Sequence, residues 1–342
     1  MFENPTQQTI QNPDHIDAAV IRASIAAGRQ VTVQFDTLGE PEPLLAELDA
    51  LAASCGPALT IRIYGYHARV FDAHILRALP HVSSLSIDFH QNALHLEALG
   101  DMPRLRRLRL GVYELAQTDI LRLKNLRKLD YLYLDQTAKN NLDLAPLRHF
   151  SQLSSLHIDG HSQQIDTLAS LPALKELSLC RIKNKVGLDF VSHIGHLEAL
   201  RLQLGGRSAI QEINAPLLKK LEVLRVRGLE TLGNMGRFPL LRKLWVEDQA
   251  KLAKIEFSNN RALEQVHLHT CKTLASLDGL NSLDALRLLS VSETMLDIEA
   301  MLEHGLPASL SHLHFRTGKA KLDEAIAAQL AQRGYSKQLL PF

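Results

Sequence analysis

The chain is short of the residues that many chemistries need. It has three cysteines, Cys55, Cys180 and Cys271, in 342 residues. That is too few, and too scattered, for a disulfide framework or a zinc ribbon. Aromatic residues make up 5% and include a single tryptophan, Trp245. No run approaches the ~18 apolar residues of a membrane-spanning helix. Neither sign of charge prevails: 38 basic and 37 acidic residues leave a net charge of +1. A global field for polyanions is therefore excluded, and nucleic acid is disfavoured as a partner. The opening residues, MFENPTQQTIQNPD, show neither the basic nor the apolar region of a secretory signal. With so few cysteines, a reducing cytoplasm is the expected location. No P-loop, GxGxxG, GxSxG or HExxH pattern is present. The glycines of LGGRS at 204–208 have no phosphate-binding lysine after them and read as a turn.

Leucine is what the chain has in excess. It accounts for 65 of 342 residues, or 19%, with none in residues 1–30. The leucines fall in segments of the form L-x-x-L-x-L. These begin at Val82, Leu105, Leu129, Leu153, Leu174, Leu197, Leu221, Leu241, Leu263, Leu286 and Leu310. Successive starts differ by 23, 24, 24, 21, 23, 24, 20, 22, 23 and 24 residues. A degenerate copy, ALTIRI, begins at Ala58. Proline stands two residues before the motif at Pro80, Pro103, Pro172 and Pro239, where a fixed φ suits entry into a strand. A further leucine often stands three residues before it, at Leu79, Leu126, Leu171, Leu218 and Leu283.

This pattern resembles the leucine-rich repeat superfamily, nearest its short-repeat classes, over roughly 58–318. The resemblance implies an α/β solenoid, a horseshoe of about twelve repeats with a parallel sheet on its concave side. The physics agrees. Alternate strand residues face one side, so the fourth and sixth motif positions point inward and the third, fifth and seventh outward. One repeat cannot cover its leucine face, whereas stacked repeats bury a continuous column. The sequence departs from the family at the ninth position, where an asparagine usually ties turn backbone groups together. Here that position reads His90, Tyr113, Thr137, His161, Ile182, Gly205, Leu229, Gln249, Cys271, Thr294 and Gly318.

Open stacks need caps. Residues 1–57 are expected to form a helix–strand–helix cap. Its helices lie at 14–27, with Asp14 as N-cap, and at 41–54, with the strand VTVQF between them. Residues 319–342 are expected to supply a capping helix at 320–333 and a tail. The return segments 71–79 and 114–123 read as helical, and 205–216 and 229–237 as mixed and irregular.

Function on such a scaffold belongs to the outward side chains. Two clusters stand out: Arg107, Arg109, Tyr131 and Tyr133, then Arg225, Arg227, Lys243, Trp245 and Glu247. His157, Arg201, His267 and His269 complete the expected partner-binding surface. Tyrosine, tryptophan and arginine are enriched at interface hot spots, and aromatic rings on a sheet face are costly to leave wet. The expected function is non-catalytic recognition of an as yet unidentified protein partner on the concave sheet. Relatives of this type act as regulators, adaptors, inhibitors and host-directed bacterial factors, and an immunity-type factor is one version. The alternative is nucleic-acid or anionic-ligand binding by Arg201, Arg225, Arg227 and Lys243, diluted by Glu222, Glu247 and Asp248.

Other chemistry is weaker. His267-x-His269 and His312-x-His314 each offer two outward nitrogens. Only Ser290 and Ser292 lie between the pairs, about 10 Å apart by strand spacing, so neither a metal nor a cofactor is expected. The histidines could still make binding depend on pH near 6. Cys271 reads as a packed turn residue. Cys180 is an outward thiol without a placeable base. Asp135 and Asp159 sit in one row, as surface acids more readily than as a hydrolytic pair.

Overall fold

A computed structural model describes residues 7–36, 42–65, 70–138 and 141–342. The chain divides into two compact units, Met1–Leu174 and Lys175–Phe342. In the first unit, parallel strands lie side by side in chain order: Gln7–Gln11, Gln30–Phe35, Leu59–Tyr64, Ser84–His90, Arg107–Val112, Tyr131–Leu134 and Ser155–Asp159. The second unit repeats the arrangement with Glu176–Cys180, Ala199–Gln203, Lys220–Leu224, Lys243–Glu247, Gln265–His269, Leu288–Ser292 and His312–Arg316.

The strands form because their leucines find one another. Leu85, Leu108, Leu132 and Leu156 are register partners in the first unit. Leu177, Leu200, Leu221, Leu244, Val266, Leu289 and Leu313 are partners in the second. All are at most 2% exposed. Each such burial is worth about 1.5–3 kcal/mol, available only once a neighbouring repeat covers it. The residue three before the motif is buried as well, as Leu79, Met102, Leu126, Phe150 and Leu171 in the first unit and Ile194, Phe238 and Leu283 in the second.

One repeat is in a different register from the sequence expectation. Leu221 pairs with Leu200 and with Leu244, so it fills the fourth position, not the first. The motif is Leu218–Val223 (LKKLEV), and the starts around it are 21 and 23 residues apart, not 24 and 20. Val223 is buried instead of outward, Leu224 leaves the core column, and Arg225 and Arg227 fall beyond the strand.

The eighth motif position explains the turn. It takes left-handed backbone at Phe89 and Gly160 in the first unit, and at Arg181, Leu204, Arg225, Asp248, Thr270 and Glu293 in the second. Arg225 fits this series only in the corrected register. The left-handed residue follows the strand, or at Phe89 interrupts its register, and turns the ninth side chain inward. There His90 Nε2 lies 3.1 Å from the Ile63 carbonyl, and His161 Nε2 lies 3.0 Å from that of Asp135. The Gln249 amide donates to Val223 O at 3.2 Å and Glu247 O at 2.7 Å. The Cys271 thiol points to His269 O at 3.4 Å. Histidine, glutamine and cysteine thus latch the turn backbone where the family uses asparagine.

The return segments differ from the helices expected of them. Val70–Asp72 is a short strand paired with Asn92–Leu94, and Ala73–Ala78 is 3-10 helix. Ile120–Arg122 and Lys124–Lys128 are also 3-10 turns. A whole repeat of about 23 residues, strand included, leaves its return room for one tight turn, not for several α-helical turns. Near the start, the expected 14–27 helix is Ala18–Ala26, capped by Asp17 rather than Asp14. The expected 41–54 helix is Glu42–Cys55; position 41 lies outside the described residues. The Gln7–Gln11 strand pairs ahead of them and was not anticipated. Ala320–Gln332 is the helix expected near the other end. The unanticipated helix Ile298–His304 is capped by Asp297.

Candidate functional site

In the first unit, the outward face is built from charge and rings in alternation. Arg62 grips Asp88 with two nitrogens, each 2.8 Å from an oxygen, and reaches Gln34 with a third at 2.8 Å. Arg109 grips Asp135 in the same way, at 2.8 and 3.0 Å. It also stands 3.6 Å from Asp88. Asp88 is wholly buried, so this carboxylate depends on its cations. Burial raises the pKa of Asp135, and the charge of Asp88 and Asp159 adds to the rise, against the hydrogen bond and charge of Arg109. Gly111 makes the arrangement possible, since a Cβ there would come within 2.5 Å of the Asp135 carboxylate.

The aromatic residues lie over these cations. Arg107 stands 4.5 Å from the Tyr131 ring and Arg109 4.5 Å from that of Tyr133. Tyr133 stacks on His157 at 3.7 Å. All five expected residues of this unit therefore share one surface. Sequence reasoning missed Phe89, which is 58% exposed on its left-handed corner with Arg62 and Arg109 both within 6 Å of its ring. It also missed Arg62, although Arg62 is the fifth residue of ALTIRI and so an outward position.

In the second unit, Trp245, His267 and His269 come together. Trp245 stacks on His267 at 5.1 Å and meets His269 edge-on at 5.5 Å, while its Nε1 donates to Glu247 at 3.1 Å. Lys243 lies on the same strand. Arg225 and Arg227 do not join them on the sheet. Arg225 sits at the corner, 3.8 Å from Glu247 and 3.7 Å from Asp248, and Arg227 follows in the turn. Arg201 pairs with Glu222, which occupies the place expected of Arg225. The basic stretch is therefore interrupted by its own acids.

The histidine pairs are joined through serine. His269 Nε2 is 3.0 Å from Ser290 Oγ, which is 3.5 Å from His314 Nδ1. Burial, aided by His269, Lys243 and His314, pushes the His267 pKa down to about 4. Burial also lowers His269 and His314. The titration of His267 thus lies below the expected window near pH 6. Another group, Asp72, His74 and His95, brings three potential metal ligands within 4.8 Å on an exposed edge. Its two imidazoles are stacked 3.8 Å apart at 11°, so their in-plane nitrogen lone pairs run alongside each other instead of converging. Cys180, expected to be outward, is buried, and burial raises the Cys271 thiol to about 11.

Among the described residues, no helix is long and apolar enough to cross a membrane. No family model and no curated protein matches the chain. Solved structures do. An internalin from Listeria monocytogenes is 17% identical, with a TM-score of 0.56, over 85% of this chain and 81% of that one. Toll, in its complex with Spatzle from Drosophila, is 19% identical with a TM-score of 0.52, over 94% of this chain and 48% of that one. A leucine-rich-repeat protein of Leptospira interrogans is 12% identical with a TM-score of 0.37, over 80% of this chain and 86% of that one. With its leucine-paired parallel strands, recurrent left-handed corners and inward ninth-position latches, the chain has the leucine-rich-repeat solenoid fold.

Proposed function

We propose that this chain is a non-catalytic module that binds a protein partner through the sheet face opposite its leucine column. The observation that carries the reading is the Arg–aromatic layer on that face, Arg107 over Tyr131 and Arg109 over Tyr133, with exposed Phe89 beside it. Rings held by guanidinium groups are rigid, large in area and polar at their rims, which is how interface anchors are built. The Toll structure, a complex with Spatzle, supports this use of the fold. Within this reading, the proposed roles are those of a regulator, an inhibitor or an immunity-type factor.

The anionic-ligand alternative has less support, because Arg201 and Arg225 are engaged by Glu222, Glu247 and Asp248. The test is affinity capture from the source cells with the native chain and with a Tyr133→Ala/Trp245→Ala variant of unchanged circular dichroism. The reading requires a specific protein that the variant no longer retains. Equal recovery by both chains would remove it. Oligonucleotide binding that falls steeply with salt would favour the alternative.

A further inference from the structure

The second unit's aromatic cluster is already occupied. After the Ala320–Gln332 helix the chain returns to the sheet, where Ser336 bridges to His312 and extends the strand row by one residue. It then crosses the outward face. The Phe342 ring stands edge-on to the stacked Trp245 and His267 rings, 5.0 Å from each. Lys220 Nζ lies 4.4 Å from its centroid. The Pro341 carbonyl accepts from Lys243 Nζ at 3.1 Å and from Gln265 Nε2 at 3.3 Å.

The geometry of the approach is tight. From Ser336 to the Lys243 strand there are four strand spacings, about 19 Å. The six steps from Ser336 to Phe342 can span at most about 22 Å. Only a nearly extended segment reaches these rings. The pocket therefore holds a ring by its edge, holds the carbonyl before it by two donors, and accommodates backbone running across the strands. His267, almost wholly buried there, keeps Nε2 without a hydrogen-bond partner.

We propose that the surface formed by the stacked Trp245 and His267 rings is a recognition site for an extended peptide bearing a proline–phenylalanine pair, that Pro341–Phe342 is its resident occupant, and that a partner engages this face by presenting such a pair and displacing the tail. The proposal rests on the reading of this face as a binding surface and names what it binds. Proline pre-sets the extended backbone, phenylalanine supplies the ring, and the two donors read the carbonyl between them. An aliphatic side chain would forfeit the edge contacts and the cation over the ring.

Trp245 is the only tryptophan in the chain, so its emission reports the pocket directly. Phe342→Ala should show red-shifted emission and at least twofold greater quenching by acrylamide. Adding a synthetic peptide of residues 336–342, SKQLLPF, should reverse both changes, with half-saturation on the order of 0.1–1 mM, as expected for a site that a short tether keeps filled. SKQLLPA should have no effect, and the native chain should respond at least tenfold less. Gln265→Ala in the Phe342→Ala background should weaken the peptide several-fold. Unchanged emission in Phe342→Ala would overturn the proposal, as would equal peptide binding by native and variant chains. Concentration-dependent dimerisation of the native chain, lost in Phe342→Ala, would also overturn it by assigning the site to the tail of a second copy. If the peptide fails while the Tyr133→Ala/Trp245→Ala variant still loses its captured protein, the occupant is wrong and the binding surface stands. If the peptide binds and capture is unchanged, the reverse holds.

Discussion

Asp88 has no exposed surface, and each of its carboxylate oxygens lies 2.8 Å from a nitrogen of Arg62. Arg109 adds a weaker contact at 3.6 Å. Asp88→Ala leaves Arg62 facing a desolvated gap and should cost about 3–5 kcal/mol of stability. Urea unfolding of the variant measures this. A loss under about 1 kcal/mol would mean that the pair behaves as an ordinary surface ion pair.

The register of the Lys220–Leu224 strand can be tested with two alanines. Leu221 is buried in the column, so Leu221→Ala should cost about 2–5 kcal/mol. Leu224 lies outside it, and Leu224→Ala should cost less than about 1 kcal/mol. Equal costs would restore the register that starts at Leu221.

Acid should destabilise the second unit before its carboxylates are protonated. In the folded chain the His267 pKa is about 4, against 6.5 for an ordinary solvated imidazole. As pH falls through 6.5 the unfolded chain takes up a proton that the folded chain refuses. Stability therefore declines between pH 6.5 and 4 and levels off, for this residue, below that. Between pH 7.5 and 5 the loss from His267 is on the order of 1–2 kcal/mol. His267→Gln should remove that much of the pH dependence, measured by urea titrations followed through Trp245. An unchanged slope would show that His267 does not titrate as its burial implies.

The ninth-position latches should behave as structural hydrogen bonds. Gln249→Ala removes the amide's bonds to the Val223 and Glu247 carbonyls and should cost about 1–3 kcal/mol. Gln249→Asn, which restores an amide, should recover part of it. Identical thermal midpoints for the alanine and asparagine variants would argue that packing alone fills the position.

The leucine column was legible because burial imposes a period of two along each strand, and a stack can satisfy that period in few ways. The slip at Leu221 has a specific cause. Leu218-Leu221-Val223 and Leu221-Leu224-Val226 both satisfy the motif, and only the intervals of 24 and 20 residues, against 21 and 23, separate them. The left-handed corner was not legible, since Phe89, Arg181, Leu204, Thr270 and Glu293 are not residues that favour it. Their conformation is imposed by the strand before and the latch after. The first unit's Arg–Tyr layer followed from strand alternation alone. Phe342 at Trp245 did not, because that contact links residues 97 positions apart through a tail with no periodic pattern.

The varied latches also bear on how the protein wears. A uniform row of asparagines would respond alike to any solvent. Here burial disfavours a charge on the imidazole rungs at His90 and His161, so acid strains those coils, while the amide rung at Gln249 has nothing to titrate. An oxidant that reached Cys271 would open a different rung. Neighbouring coils of one molecule thus have separate breaking points, and damage of each kind begins at its own address.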